Sequence, residues 1–210
     1  MWDYREAEFH TLGQIPTGME LPRRTRDFTA KGGVVLLANQ LRFTRDLIEN
    51  AKHRLDNDNA ELFQLNAELV MVTVSLQSML DVFTCVCVKH IDPVEKISTR
   101  NIYFHGYSFS HSELTWVIGY RDDINDNLPK FKGMSFKELA NRVKHVEPWL
   151  GETRKINRRP HDIYDSDGVG LVHEVIVKVY KLLCEMTKVL ANTVSLDDEQ
   201  VTSIEKLASV

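Results

Sequence analysis

Apolar residues return at steps of three and four along most of this chain, the spacing of one face of an α-helix. The first run is Val34, Leu37, Leu41, Ile48, Ala51 and Leu55, with Arg42, Arg45, Asp46 and Lys52 between them, and it predicts a helix from Val34 onward. The four residues DNDN (56–59) then supply a turn and an N-cap. A longer run follows in Leu62, Leu69, Val72, Leu76, Met79, Phe83 and Val86. Its stretch VMVTVS has the composition of a strand, but residues 60–90 far exceed strand length, so a helix is expected. At ~1.5 Å per residue it would run roughly 45 Å. Pro93 closes it.

Residues 92–134 break the periodicity and read as an irregular insertion. NIYFHGYSFSH alternates aromatics with small polar residues, which fits a short hairpin or an ordered loop. GYRDDINDNLPKFKG reads as turn material punctuated by Gly119, Pro129 and Gly133. Ser135, with Glu138 three positions later, marks a capping box for a third helix. That helix is expected to run on through Trp149 and Leu150 towards Arg154, with a kink at Pro148 and an interruption at Pro160. After the turn signal DSDG (165–168), Val172, Val175, Val179, Leu183, Met186 and Leu190 share one face of a last long helix. Residues 1–33 read as an arm, and 196–210 as a tail that forms a short helix or frays. The expected fold class is all-α: an up-and-down four-helix bundle over 34–195, with the insertion between its second and third long helices.

Composition narrows the setting. Of 210 residues, 43% are hydrophobic and 27% charged, which excludes a disordered, collagenous or purely coiled-coil chain. With 26 Lys and Arg against 30 Asp and Glu, the net charge of −4 argues against a uniformly basic nucleic-acid coat, though not against a local basic patch. Three cysteines, Cys85, Cys87 and Cys184, are too few for a disulfide framework and sit among apolar neighbours. The opening MWDYREAEFH lacks the pattern of a signal peptide, and Leu69 to Val88 carries Asp81, Gln77 and several hydroxyls, against a membrane span. A cytoplasmic protein with no membrane partner is expected.

Several chemistry-bearing patterns fail on their own geometry. Cys85, Cys87 and His90 suggest zinc, but positions two apart on a helix point about 200° away from each other, so core packing is expected instead. His173-Glu174 opens like a zincin motif, yet Val177 stands where the second histidine belongs. Asp123, Asn125 and Asn127 begin like a calcium loop, but Leu128 and Met134 replace its glycine and its terminal glutamate. Asp122, Asp123 and Asp126 then read as a solvated turn. No metal and no cofactor is expected.

Two stretches pair an arginine with a histidine and an asparagine. One is Arg100-Asn101-Ile102-Tyr103-Phe104-His105-Gly106-Tyr107, and the other is Arg154-Lys155-Ile156-Asn157-Arg158-Arg159-Pro160-His161. Such a pair suits phosphodiester cleavage in RNA without metal. A histidine near neutral pKa takes the 2′-hydroxyl proton or protonates the leaving 5′-oxygen, and a guanidinium offsets the charge of the transition state. Arg142, Lys144, Arg154, Lys155, Arg158 and Arg159 outnumber Glu147 and Glu152 around the second stretch, which would draw a phosphate. The plainer alternatives are a solvated His161 at a helix junction and a His105 buried beside Tyr103 or Tyr107.

The helix spans, the segment SLQSMLDVF (75–83) and an Asn-x-x-x-His just before the last helix together resemble HEPN domains (higher eukaryotes and prokaryotes nucleotide-binding). The similarity covers roughly residues 34–195 and is nearest to a bacterial subgroup of stand-alone proteins with long helices. The resemblance implies a metal-independent endoribonuclease of bacterial defence or stress response, built as a homodimer with its groove at the two-fold interface. His161 would be the general acid/base, Arg154 or Arg158 the phosphate ligand, and Asn157 the orienting residue. The alternative site is Arg100, Asn101, His105 and Tyr107, which matches the arginine-x4-histidine-x-tyrosine form of antitoxin-paired members. Position favours the first site, although Ile156 stands where the family's arginine precedes the asparagine. The resemblance also allows a non-catalytic module that dimerises and binds a nucleotide, RNA or protein partner, an antitoxin among them.

Overall fold

The computed structural model describes residues 29–56, 62–94, 102–143 and 166–208. Among these residues there are six α-helices and no strand, only an isolated bridge between Phe131 and Met134, so the fold class is all-α as expected.

Helix α1 spans Ala30–Leu55 and starts four residues before the position its apolar spacing predicts. The cause is Thr29, extended at φ −86° and ψ 157°, whose hydroxyl accepts the Gly32 N–H at 3.1 Å. This cap satisfies a first-turn donor and carries the helix through two glycines of low intrinsic propensity. Helix α2 spans Leu62–Ile91, and α5 spans Ser166–Thr193. The DSDG stretch, expected as a turn, is already helical from Ser166.

Side-chain bonds fix the directions of these three helices. Arg54, in the last turn of α1, bonds Glu68 and Gln64 near the start of α2 at 2.9 Å each, while Thr44 meets Ser75 at 3.3 Å further along. His173 near the start of α5 reaches Ile48 O, and Tyr180 reaches Leu41 O one helical stretch on. Helix α1 is therefore antiparallel to both α2 and α5, and α2 and α5 run parallel to each other. The face predicted for α1 is the one buried: Val34, Leu37, Leu41, Ile48 and Ala51 are at most 1% exposed.

The return path between two parallel helices lies in the region expected to be irregular. It contains α3, Trp116–Asp122, which continues as a π-helical turn over Asp123–Asn127. Trp116 sets its edge on Phe83 of α2 at 6.1 Å and on Tyr120 at 6.0 Å, and the nearby Glu185 of α5 helps burial to raise the Tyr120 pKa. Residues 102–115 have no helix or strand, so of the two expectations for this stretch, a short hairpin or an ordered loop, the structure has the loop. Phe104, Phe109, Leu114, Val117, Ile124 and Phe131 nevertheless join the main core. At about 1.5–3 kcal/mol for each large apolar side chain, that burial holds a stretch with little backbone structure of its own.

Helix α4, Phe136–Asn141, carries the predicted capping box: Glu138 Oε2 accepts the Ser135 N–H at 2.8 Å while Ser135 Oγ accepts the Glu138 N–H. Its expected continuation towards Arg154 lies outside the described residues. The C-terminal segment forms α6, Asp198–Glu205, capped by Asp197 at Gln200 N, and then a 3₁₀ turn, Lys206–Ala208.

This packing explains why α2 is apolar on all sides. Every residue from Val82 to Lys89 is buried, enclosed by α1, α5 and the 102–143 segment. The stretch Ala67–Ile91 is long and apolar enough to cross a membrane, but 72% of its apolar window is buried inside the protein.

Candidate functional site around His105

Of the residues singled out in the two Arg/His stretches, His105 and Tyr107 fall within the described structure. Arg100, Asn101, Arg154, Asn157, Arg158 and His161 lie outside the described residues.

His105 follows Phe104, whose ring is fully buried and makes edge contacts with Phe83 at 6.5 Å and with the imidazole at 5.3 Å. Phe104 thus anchors the turn and presents His105 to α2. Gly106 permits the turn: a Cβ there would fall 2.1 Å from the ring of Tyr103. The Gly106 and Tyr107 N–H groups both donate to Tyr103 O, closing the loop on itself.

Both ring nitrogens of His105 are engaged. Nε2 lies 2.8 Å from Gln77 Oε1, and Nδ1 lies 2.7 Å from Asn125 Oδ1 in the π-helical turn. Gln77 has its own constraint, because its amide donates to Asp81 Oδ1 at 3.2 Å. Turning the Gln77 carboxamide over would point its oxygen at a carboxylate, so Oε1 stays on His105 and Nε2 must carry the hydrogen. Nδ1 faces Asn125 Oδ1, so both ring nitrogens lie against amide oxygens; a neutral ring with its hydrogen on Nε2 needs the Asn125 carboxamide turned over to bring its NH₂ to Nδ1. Asp81 Oδ1 also accepts the Phe104 N–H at 3.0 Å. One carboxylate therefore fixes both the backbone and the tautomer of the histidine.

Burial favours the neutral ring. Burial pushes the His105 pKa down to about 4; the Asn125 bond opposes this, and the positive charges of Lys137 and Arg121 add to the depression. A general acid/base at neutral pH needs a pKa near the working pH and a nitrogen facing the substrate. His105 offers neither in this arrangement, which is that of a half-buried histidine with both ring nitrogens hydrogen-bonded.

Tyr107 is half-buried, with its ring 5.0 Å from Phe109 and packed beside Cys85 and Val88. Its carbonyl accepts from Arg121 Nη1 at 3.1 Å, and the same guanidinium lies 5.9 Å from the Phe109 ring. Arg121 and Lys137, although basic and close to His105, are thus neighbours of a closed network rather than the rim of a cleft. An open depression of about 400 Å³ lies on α6, lined by Asp198, Glu199, Thr202, Ser203 and Lys206, far in sequence from either Arg/His stretch.

The cysteines behave as core residues. Cys87 belongs to the main core, whereas Cys85 faces Ile102 and Tyr107, so the two thiols point to different clusters as their helical spacing requires. No group of three or more potential metal ligands occurs among the described residues.

The residues that hold His105 carry no signal in the sequence. Gln77 is an ordinary polar position within α2, and Asn125 sits in a stretch that reads as a solvated turn. Their separations of 28 and 20 residues from His105 leave no local signal. Comparison with protein-family models, with curated proteins and with solved structures finds no match to this chain.

Proposed function

We propose that this protein is a HEPN-like, metal-independent endoribonuclease of bacterial defence or stress response, in which His161 carries the chemistry. His161 takes the 2′-hydroxyl proton or protonates the leaving 5′-oxygen, Arg154 or Arg158 holds the phosphate, and Asn157 orients the site. A homodimer brings two such sets together in one groove, and an antitoxin or another protein partner controls it.

The observation that supports this reading best is the layout of the long helices. Helix α1 runs antiparallel to α2 and α5, directions that suit the first, second and fourth members of an up-and-down bundle. In the sequence, Asn157 to His161 comes just before the last long helix, the position the HEPN motif occupies. The rival histidine, His105, is already committed to Gln77 and Asn125. Cleavage of a mixed RNA pool in EDTA tests the proposal. Attack by the 2′-oxygen leaves a 2′,3′-cyclic phosphate on one fragment and a 5′-hydroxyl on the other, and these ends are the expected products.

A second reading, a non-catalytic helical module that dimerises and binds a nucleotide, RNA or protein, draws support from Ile156, which occupies the place of the motif's arginine. RNA binding that saturates without any cleavage under the same conditions selects it.

A further inference from the structure

The outer side of α1 is divided along its length. Arg42, Asp46, Glu49 and His53 are exposed and repeat at steps of four, three and four, a hydrophilic stripe of the kind water covers. About 100° round the helix, Leu36, Gln40, Phe43 and Leu47 repeat at the same steps, are at least partly exposed, and carry no charge. Arg54 continues this second stripe and bonds Gln64 and Glu68, so the stripe borders α2. The adjoining flank of α2 is Gln64, Ala67, Met71, Val74 and Ser78, also at helical steps, uncharged and at least partly exposed. Of the four large apolar side chains left exposed among the described residues, two flank this seam: Phe43 at 39% and Met71 at 53%.

The bonds between the helices set the heights. Thr44 is level with Ser75, and Arg54 with the turn from Gln64 to Glu68, so Phe43 and Leu47 stand level with the stretch from Met71 to Ser78. Both helices thus carry the same bands: apolar in the middle, Gln40 and Ser78 at one end, Arg54 and Gln64 at the other. The charge of Arg54 is met by Glu68 at 2.9 Å. The patch measures ~20 Å along the helices and ~20 Å across the pair, the footprint of a weak, concentration-dependent interface rather than an obligate one.

We propose that this face pairs with the same face of a second copy, about a two-fold axis that runs along the α1/α2 seam. Such an axis keeps every band at its own height and lays α1 of one copy on α2 of the other, so apolar meets apolar and Gln40 meets Ser78. Within one copy Gln40 Oε1 is shielded from water and has no hydrogen-bond partner among the described residues. The Ser78 hydroxyl of the second copy supplies a donor once the carboxamide turns towards it. Charge also selects a second copy: the chain carries −4, so identical copies repel across charged faces, and this face is neutral. The inference stands on these residues alone. Of the ribonuclease reading it touches only the homodimer, to which it gives a face.

Sedimentation velocity on the full chain from about 1 to about 200 µM tests this. The wild type is expected to pass from monomer to dimer over this range. Phe43→Glu and Met71→Glu are each expected to raise the dissociation constant at least about tenfold, with far-UV circular dichroism unchanged because both side chains are already exposed. Phe43→Glu mixed with Phe43→Lys is expected to recover a mixed dimer, since the two copies then bring opposite charges to the same band. A wild type that stays monomeric overturns this proposal together with the homodimer of the ribonuclease reading. A dimer that survives both glutamate substitutions overturns this proposal alone and leaves the homodimer to another face.

Discussion

The hydroxyl of Tyr180 donates to the carbonyl oxygen of Leu207 at 3.0 Å, tying the last turn of the chain into the middle of the helical core. The same hydroxyl oxygen lies 3.2 Å from Leu41 O, so one buried side chain of α5 joins α1 and the C-terminal 3₁₀ turn. Burial raises the Tyr180 pKa far above that of a free phenol, and the group stays a donor across the working pH range.

Removing this hydroxyl leaves the ring in place but strips the Leu207 carbonyl of its partner. Tyr180→Phe is expected to cost about 1–2 kcal/mol of stability, read from urea unfolding, and to increase proteolysis at the C-terminal turn first. An unchanged midpoint with an intact C-terminus would show that the bond is replaced by water at no cost.

The His105 network makes stability depend on pH with a definite sign. Its folded pKa, about 4, lies below the ordinary 6.5, so the native state favours the neutral ring. The contribution is complete above about pH 6.5 and is lost as the pH falls from there towards 4, amounting to about 3 kcal/mol in all. The difference in unfolding free energy between wild type and His105→Gln should therefore narrow between pH 7 and pH 4.5. A difference that stays constant over this range contradicts the neutral-ring assignment.

The three thiols should be inert in the folded protein. Burial pushes Cys85 and Cys184 up to about 12 and holds Cys87 well above the ordinary thiol value, leaving almost no thiolate at neutral pH. An aromatic disulfide reagent is expected to label none of them in native buffer and all three in denaturant. Rapid native labelling of Cys85 would point instead to frequent opening of the loop beside it, since Ile102 and Tyr107 pack against that thiol.

The long helices are legible because burial imposes their spacing: the residues that repeat at three and four in α1 and α5 are the ones with least exposure. Where local chemistry competes, the sequence misleads. Residues 1–33 read as an arm, yet Thr29 caps a helix that starts at Ala30 and runs through Gly32 and Gly33. The alternating aromatics of YFHGYSF suit either a hairpin or a loop, and Phe104 and Phe109 are both buried without a strand, because Phe83 gathers the ring of Phe104 and Tyr107 adds its ring to Phe109. Helix α3 is seven residues long, holds Gly119, and passes into the polar turn DINDN, too short a run for periodicity to show. The site is the least legible part. The sequence offers His105 as an acid/base by its spacing from Arg100, and only the tertiary placement of Gln77, Asp81 and Asn125 shows that its nitrogens are occupied.

The central claim is that the working histidine is His161 and that His105 serves the fold. Metal-free RNA cleavage by wild type, His161→Ala and His105→Gln, each first confirmed as folded and of equal oligomeric state, tests this most directly. The account predicts that His161→Ala loses at least about a hundredfold in rate, as expected for removal of a general acid/base, while His105→Gln retains cleavage at pH 7. Cleavage that survives in His161→Ala and disappears in a folded His105→Gln would contradict it.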